Sequence, residues 1–164
     1  MAKLVIFYSR SGKTRALASG IAQETGTKTE EIRVKKVKNR LPGAWNMTGA
    51  FKKGKLPPVY HESISIEQFP EIFIGGPVWG GTIAPPVLSF IQNKNWKGKK
   101  VHIFVTYALF GSKNALEKMR KTLEGKGATV SGEKGFWSLF KSKERLKSEG
   151  IKWAKEVTQR AHNH

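Results

Sequence analysis

The residues best suited to chemistry come early. Ser9-Arg10-Ser11-Gly12-Lys13-Thr14 places three hydroxyls, a glycine and two cations directly after the apolar run Leu4-Val5-Ile6-Phe7-Tyr8. A short β-branched and aromatic run, a polar tight loop and then a segment carrying Leu17, Ala18, Ile21 and Ala22 at helical spacing reads as strand, turn, helix. At such a junction the first helical amides have no intrahelical partner and point over the end of the strand. With the hydroxyls of Ser9, Ser11 and Thr14 they form a cup of donors, which the helix dipole makes favourable for an anion; phosphate is the usual guest. Gly12 lets the backbone approach that guest closely. The same hexapeptide also reads as an ordinary capped strand-to-helix turn, so it needs support from elsewhere in the chain. A nucleotide-triphosphatase P-loop is not spelled out, because the glycine that motif needs five residues before Gly12 is Phe7.

Two further stretches offer groups for a ligand. Ile72-Phe73-Ile74 reads as a buried strand running into a glycine-rich loop, Gly75-Gly76-Pro77-Val78-Trp79-Gly80-Gly81-Thr82, that presents one tryptophan. Val101–Thr106 reads as another strand, ending in the loop Tyr107-Ala108-Leu109-Phe110-Gly111. A phosphate cup, a glycine-bordered tryptophan and an aromatic pair together suit a flat aromatic ligand with a phosphate tail. Simple hydrophobic packing is the competing reading for Trp79 and Phe110.

The elements that must position these groups alternate. A helix from Lys13 to about Glu24 stops at Gly26. A half-buried second strand is expected over Glu30–Val37. Lys38–Gln68 is long for a connection, with a short helix around Leu41–Phe51 followed by an extended loop; segments of that length are often functional. A helix starts near Ala84-Pro85-Pro86, where proline is tolerated in the first turn. The next starts at Ser112 and ends at Gly125 or Gly127. A fifth strand covers Ala128 to about Trp137, and Leu146, Trp153, Val157 and Ala161 stripe a last helix. Five strands alternating with helices make a doubly wound α/β sheet in a single domain over 1–164. Ligands of such sheets bind at the C-terminal ends of the strands, where the strand order reverses. All three candidate loops fall at that end.

Composition narrows the chemistry. Without cysteine there are no disulfides, thiolate metal sites or thiol nucleophiles. All twelve acids are Glu. A Ser-His-Asp arrangement therefore lacks its acid, and no glutamate falls in the three loops. A phospho-accepting receiver domain is excluded too: it needs an acidic pair after strand one and an Asp after strand three, where this chain has Ser9-Arg10 and Gly75-Gly76. His162 and His164 sit in a terminus and bind little. With no N-terminal apolar signal segment and no long apolar run, a cytoplasmic location is expected. Thirty Lys and Arg give a formal charge of +18, spread along the chain. Such a field draws acidic proteins, nucleic acid or anionic lipid and says nothing about fold. The alternative is a solubilising lysine coat.

With these motifs in view, the sequence resembles the flavodoxin-like family of FMN proteins over almost the whole chain. Ser9–Thr14 is similar to the family's hydroxyl-rich phosphate loop, Gly76–Thr82 with Ala84-Pro85-Pro86 to its second flavin loop, and Thr106–Gly111 stands where the third would be. The resemblance implies a three-layer sandwich around a five-stranded parallel sheet of order 2-1-3-4-5, with FMN as cofactor. It implies that Ser9, Ser11, Gly12 and Thr14 hold the FMN phosphate, with Arg10 and Lys13 adding amides and charge. Pro77, Val78, Trp79 and Gly80 would border the flavin ring, and Thr106, Tyr107 and Gly111 would complete the pocket. Typical electron-transferring flavodoxins are acidic, which keeps their potential low; at +18 the reverse bias is expected, along with an acidic redox partner.

Three functions follow. The favoured one is an FMN protein carrying electrons between partner proteins, since no side-chain proton donor stands in the loops and a carrier needs only an exposed ring edge. An FMN-dependent NAD(P)H:quinone-type reductase, which needs a further slot, is the alternative within the class. A flavin-free basic module for acidic protein or nucleic acid is the alternative outside it. Nucleic acid is disfavoured because the basic residues form no stripe and the aromatics do not interleave with them. The oligomeric state is left open.

Overall fold

The computed structural model describes residues 2–36 and 56–163. β1 (Lys3–Phe7) leads into α1 (Lys13–Thr25), which Gly26 ends in the left-handed region, and then into β2 (Thr29–Glu31). After a single 3-10 turn at His61–Ser63 come β3 (Glu71–Trp79), the two-residue β4 (Thr82–Ile83) and α2 (Pro85–Gln92). β5 (Lys100–Tyr107), α3 (Ser112–Gly125), β6 (Thr129–Trp137) and α4 (Lys143–His162) follow. The sheet order is β2-β1-β3-β5-β6, each neighbouring pair parallel, with β4 antiparallel to β3 at its end. With β4 set aside, this is the expected 2-1-3-4-5.

Each central strand is apolar on both faces because helices cover both. Leu4, Ile6, Ile72, Ile74 and Ile103 pack with Val87, Phe90, Met119 and Leu123 of α2 and α3. Their neighbours Val5, Phe7, Phe73 and Phe104 point the other way, onto Leu17 and Ile21 of α1 and Trp153 and Val157 of α4. α1 and α4 meet backbone to backbone. A Cβ on Gly20 would stand 2.0 Å from the Lys147 carbonyl oxygen, and one on Gly150 would stand 2.4 Å from that of Leu17. No larger residue fits either place, and the crossing sets the first turns of the two helices side by side.

The structure departs from the sequence-based expectations in three places. The second strand ends at Glu31 rather than Val37. Ile32 still enters the core, but Val34 forms only an isolated antiparallel bridge to Val59. The alternating pattern is thus satisfied by the returning chain instead of a ladder; Val37 and the helix expected at Leu41–Phe51 lie outside the described residues. The glycine-rich stretch after Ile74 is strand, not loop, as far as Trp79. Gly75 and Gly76 are strand residues under close neighbours: a Cβ would come within 2.2 Å of the Phe104 carbonyl oxygen at the first and 2.6 Å of Val87 Cγ2 at the second. Finally, Ala161 is exposed, because α4 runs on past its last core contact at Val157. Among the described residues, no helix is long and apolar enough to cross a membrane, and no cluster of His and Glu could hold a metal ion.

Candidate functional site

The strand order reverses between β1 and β3, and the residues following these two strands form the floor of the site. Gly12 caps α1 from the left-handed region, φ 90°, where a side chain would be strained. Ser9, buried, organises the turn: its Oγ accepts from the Gly12 amide at 3.1 Å and the Arg15 amide at 3.3 Å. Both contacts use Ser9 as acceptor, so its own proton is left to give. The amides of Arg10, Ser11, Lys13 and Thr14 have no acceptor among the described residues. Four amides at a helix start, with the dipole behind them, are the donor set an anion takes.

Thr14 and Thr106 tie this loop to the end of β5. Their buried hydroxyls are 2.8 Å apart. Either hydroxyl can donate to the other, and the one that accepts keeps its own proton for a ligand. The cations divide. Lys13 Nζ turns away from the loop and donates to the Ser138 carbonyl at 2.7 Å. Arg15 pairs with Glu31 at 2.6 Å, and the Arg10 guanidinium lies 5.8 Å from the centre of the Trp79 ring. Lys143, at the start of α4, comes in from the side: a Cβ on Gly12 would stand 3.0 Å from its Nζ.

Pro77, Val78 and Trp79 are the last residues of β3, and Gly80-Gly81 makes the turn into β4 with φ of 57° and 81°. A two-residue turn with both φ positive is the hairpin connection whose twist matches the strands, and glycine is the residue that adopts it freely. The hairpin holds Trp79 half-buried with its ring edge-on to Tyr8, centroids 5.4 Å apart. Burial raises the Tyr8 phenol above its ordinary range, with Arg10 opposing the shift. The hairpin also meets the loop after β5. The Phe110 ring lies over Gly81, and a Cβ on Gly111 would stand 2.6 Å from Gly81 Cα.

The loop after β5 is braced from behind by the loop after β6. The Ser138 amide donates to the Tyr107 carbonyl at 2.8 Å, and Trp137 Nε1 donates to the Ala108 carbonyl at 2.9 Å. Tyr107 is half-buried, while Leu109 and Phe110 are 77% and 72% exposed. Trp137 and Phe140 are exposed as well, at 41% and 90%, and Phe140 has φ 64°.

The structure therefore gathers Ser9, Ser11, Gly12, Thr14 and Thr106 at one end of the sheet, with Pro77–Gly80, Tyr107 and Gly111 beside them. It separates the Lys13 ammonium from its own loop. The bracing by Trp137 and Ser138 and the approach of Lys143 were not foreseen. Nothing in the sequence marks Lys143 among thirty Lys and Arg. The aromatic pair Trp137 and Phe140, separated by two residues at the end of a strand, was the one signal available for the bracing loop.

Fold and site together define a doubly wound α/β protein whose anion cup and aromatic wall meet at the topological switch point, a rule of which flavodoxins are a standing example. A flavodoxin family model matches residues 2–135, and the chain belongs to that family. Solved structures with this fold include a flavoprotein of Lactobacillus acidophilus in complex with FMN, at 24% identity and TM-score 0.66, over 81% of this chain and 91% of that one. Oxidised flavodoxin 2 of Bacillus cereus is similar at 18% identity and TM-score 0.65, over 97% and 99% of the two chains. A flavodoxin from the domain Archaea is similar at 18% identity and TM-score 0.58, over 96% and 99%. No curated protein matches the sequence closely enough to be counted a relative.

Proposed function

We propose that this protein binds FMN and carries electrons between partner proteins. The observation that carries the reading is the convergence at the β1/β3 switch point of four amides without an acceptor among the described residues, the Ser9 and Thr14 hydroxyls and the Trp79 hairpin. The donor set suits a phosphate monoester, since it offers hydrogen bonds without any carboxylate in the loop to repel the anion. The aromatic wall of Trp79, Tyr107 and Phe110 suits a flat ring system. Bound there, FMN would supply reversible one- and two-electron redox chemistry.

The chain's own residues divide the work. Ser9 holds the loop in shape, Thr106 ties Thr14 to the end of β5, and the Gly81–Gly111 contact sets the distance between the two aromatic loops. Neither His nor Glu stands in these loops to give or take a proton, which favours a carrier over a reductase with its own substrate. At the ends of β5 and β6, Leu109, Phe110, Trp137 and Phe140 are exposed apolar side chains, with Lys141 Nζ 5.7 Å from the centre of the Trp137 ring. With the chain's charge of +18, they suit an acidic protein as redox partner.

The test is the visible absorption spectrum of the purified protein before and after FMN is added and the excess removed. A bound yellow chromophore bleached by dithionite is expected. A protein that stays colourless after FMN at low salt would sink the reading. Slow reduction by NADPH compared with an acidic iron–sulfur protein is expected of a carrier; fast turnover with NADPH and a quinone would move the assignment to a reductase.

A further inference from the structure

We infer that Lys143, contributed by the start of α4, is the charged wall of the phosphate seat and makes it select a phosphorylated ligand over its unphosphorylated form. The inference rests on the site reading above and adds a residue lying outside the three loops.

The geometry is specific. A Cβ on Gly12 would stand 3.0 Å from Lys143 Nζ and 3.1 Å from its Cε, so the ammonium lies against the backbone of the one glycine in the cup. The placement follows from the helix crossing. Gly20 and Gly150 bring α1 and α4 into backbone contact, which levels their first turns and leaves Lys143 beside the start of α1. Ser142 caps α4 by accepting from the Arg145 amide at 3.1 Å, which fixes the turn from which Lys143 projects.

The other cations near the cup have partners of their own. Lys13 donates to the Ser138 carbonyl, Arg10 covers Trp79, and Arg15 pairs with Glu31 through Nη2 and Nε, although its Nη1 lies 3.5 Å from the same Gly12 Cβ position. Lys143 has neither a carboxylate nor a carbonyl partner among the described residues, although the acidic side chain of Glu144 follows it in the chain. Lys143 is exposed, and its ammonium stands beside amides that have no acceptor among the described residues; what this arrangement lacks is an anion. A phosphate dianion would take hydrogen bonds from the amides and from the ammonium together, and charge-assisted bonds are the stronger kind.

The experiment measures binding to the apoprotein by flavin fluorescence, with FMN and riboflavin as a pair, for the wild type, Lys143→Met and Lys143→Arg. Lys143→Met should weaken FMN by about tenfold at low salt, a difference of ~1.4 kcal/mol. Riboflavin should hold to within about twofold, and the salt dependence of FMN binding should flatten. Lys143→Arg should keep most of the FMN affinity, because the charge is retained. Equal weakening of FMN and riboflavin, or no loss of FMN affinity in Lys143→Met, overturns the inference.

A parallel arm uses inorganic phosphate alone, scored as the rise in melting temperature over chloride at equal ionic strength. If the wild type takes up neither flavin but phosphate raises its melting temperature and Lys143→Met abolishes the rise, the flavin reading falls and the role of Lys143 stands. If phosphate raises wild type and Lys143→Met alike, Lys143 is not part of the seat.

Discussion

The two ends of the sheet treat their charged groups in opposite ways, although His102 Nδ1 at the N-terminal end is buried without a partner among the described residues. At the N-terminal end, charge is consumed within the fold. Glu71, the first residue of β3, is buried and accepts from His102 Nε2 at 2.7 Å, with Lys3 and Lys100 at 4.0 Å on either side. The hydrogen bond from His102 is the main reason the Glu71 carboxyl lies below the ordinary carboxylate range. The neighbouring Lys99, buried, donates to the carbonyls of Ile66 and Phe69 at 2.7 and 2.9 Å, and burial lowers its pKa. At the C-terminal end, amides, an ammonium and large apolar side chains are left without partners among the described residues. A protein interior satisfies its polar groups because leaving them unmade is expensive. Where they are not satisfied by the fold, a ligand or partner is the natural completion. One end of this sheet holds the molecule together, and the other end faces outward.

The sharpest way to break this contrast is at Glu71. Glu71→Gln should cost about 2–3 kcal/mol of stability at pH 7, because His102 and two lysines lose their carboxylate, while FMN affinity stays unchanged. Since the folded-state pKa is depressed, the stabilisation is present above the ordinary carboxylate range and disappears as pH falls through the folded value. The gap between the wild type and the variant should therefore begin to narrow near the ordinary carboxylate range and close only below the depressed folded value. Denaturant unfolding at pH 7 and in a series of steps into stronger acid checks both parts. A loss of FMN binding in Glu71→Gln would show that the two ends are not independent.

The next largest effect belongs to the outward end. Gly111→Ala would meet a backbone 2.6 Å away from a φ of 96°. It should cost roughly 2 kcal/mol and weaken FMN by separating the hairpin from the loop after β5. Thermal melting and a flavin titration on the same preparation would reveal whether the two losses travel together; a stable variant that binds normally would remove that contact from the site.

A subtler consequence of the cations beside the site concerns potential. Each ~1.4 kcal/mol by which nearby cations favour the anionic reduced cofactor raises a one-electron potential by about 60 mV. Screening confines the effect to charges close to the ring, Arg10 foremost. Spectroelectrochemical titration should place the low-potential step above that of acidic flavodoxins, and Arg10→Gln should lower it. Equal potentials would assign the +18 to solubility alone.

The smallest effect should be at Phe140, which keeps a left-handed backbone and buries almost nothing. Phe140→Asn should leave stability unchanged or raise it by about 0.5–1 kcal/mol, since asparagine tolerates that conformation better. Electron delivery to an acidic iron–sulfur protein should nonetheless slow, as seen by stopped flow. A destabilised variant would mean that the side chain is packed after all.

Much of this was legible in the chain. The Ser9–Thr14 turn, the helix start at Pro85 and the strand at Val101–Thr106 depend on residues within a few positions of one another, and periodicity reports those faithfully. Gly75-Gly76 misled because glycine signals both loops and tight strand packing. Only Phe104 and Val87, pressing on them from other elements, decide between the two. The short β2 misled similarly, since its alternation is spent on a bridge between Val34 and Val59.

By itself, then, the sequence determined the alternation of elements, the phosphate-type turn and the aromatics placed after the strands, because each is written in local residue order. Only the tertiary structure decided how those groups are used. It paired Thr14 with Thr106, turned Lys13 away to Ser138, seated Glu71 on His102 and brought Lys143 to Gly12. Each of those outcomes joins residues far apart in the chain. They are settled by helix crossing, strand register and the cost of leaving a polar group unpaired, and none of these has a signature in any short stretch of sequence.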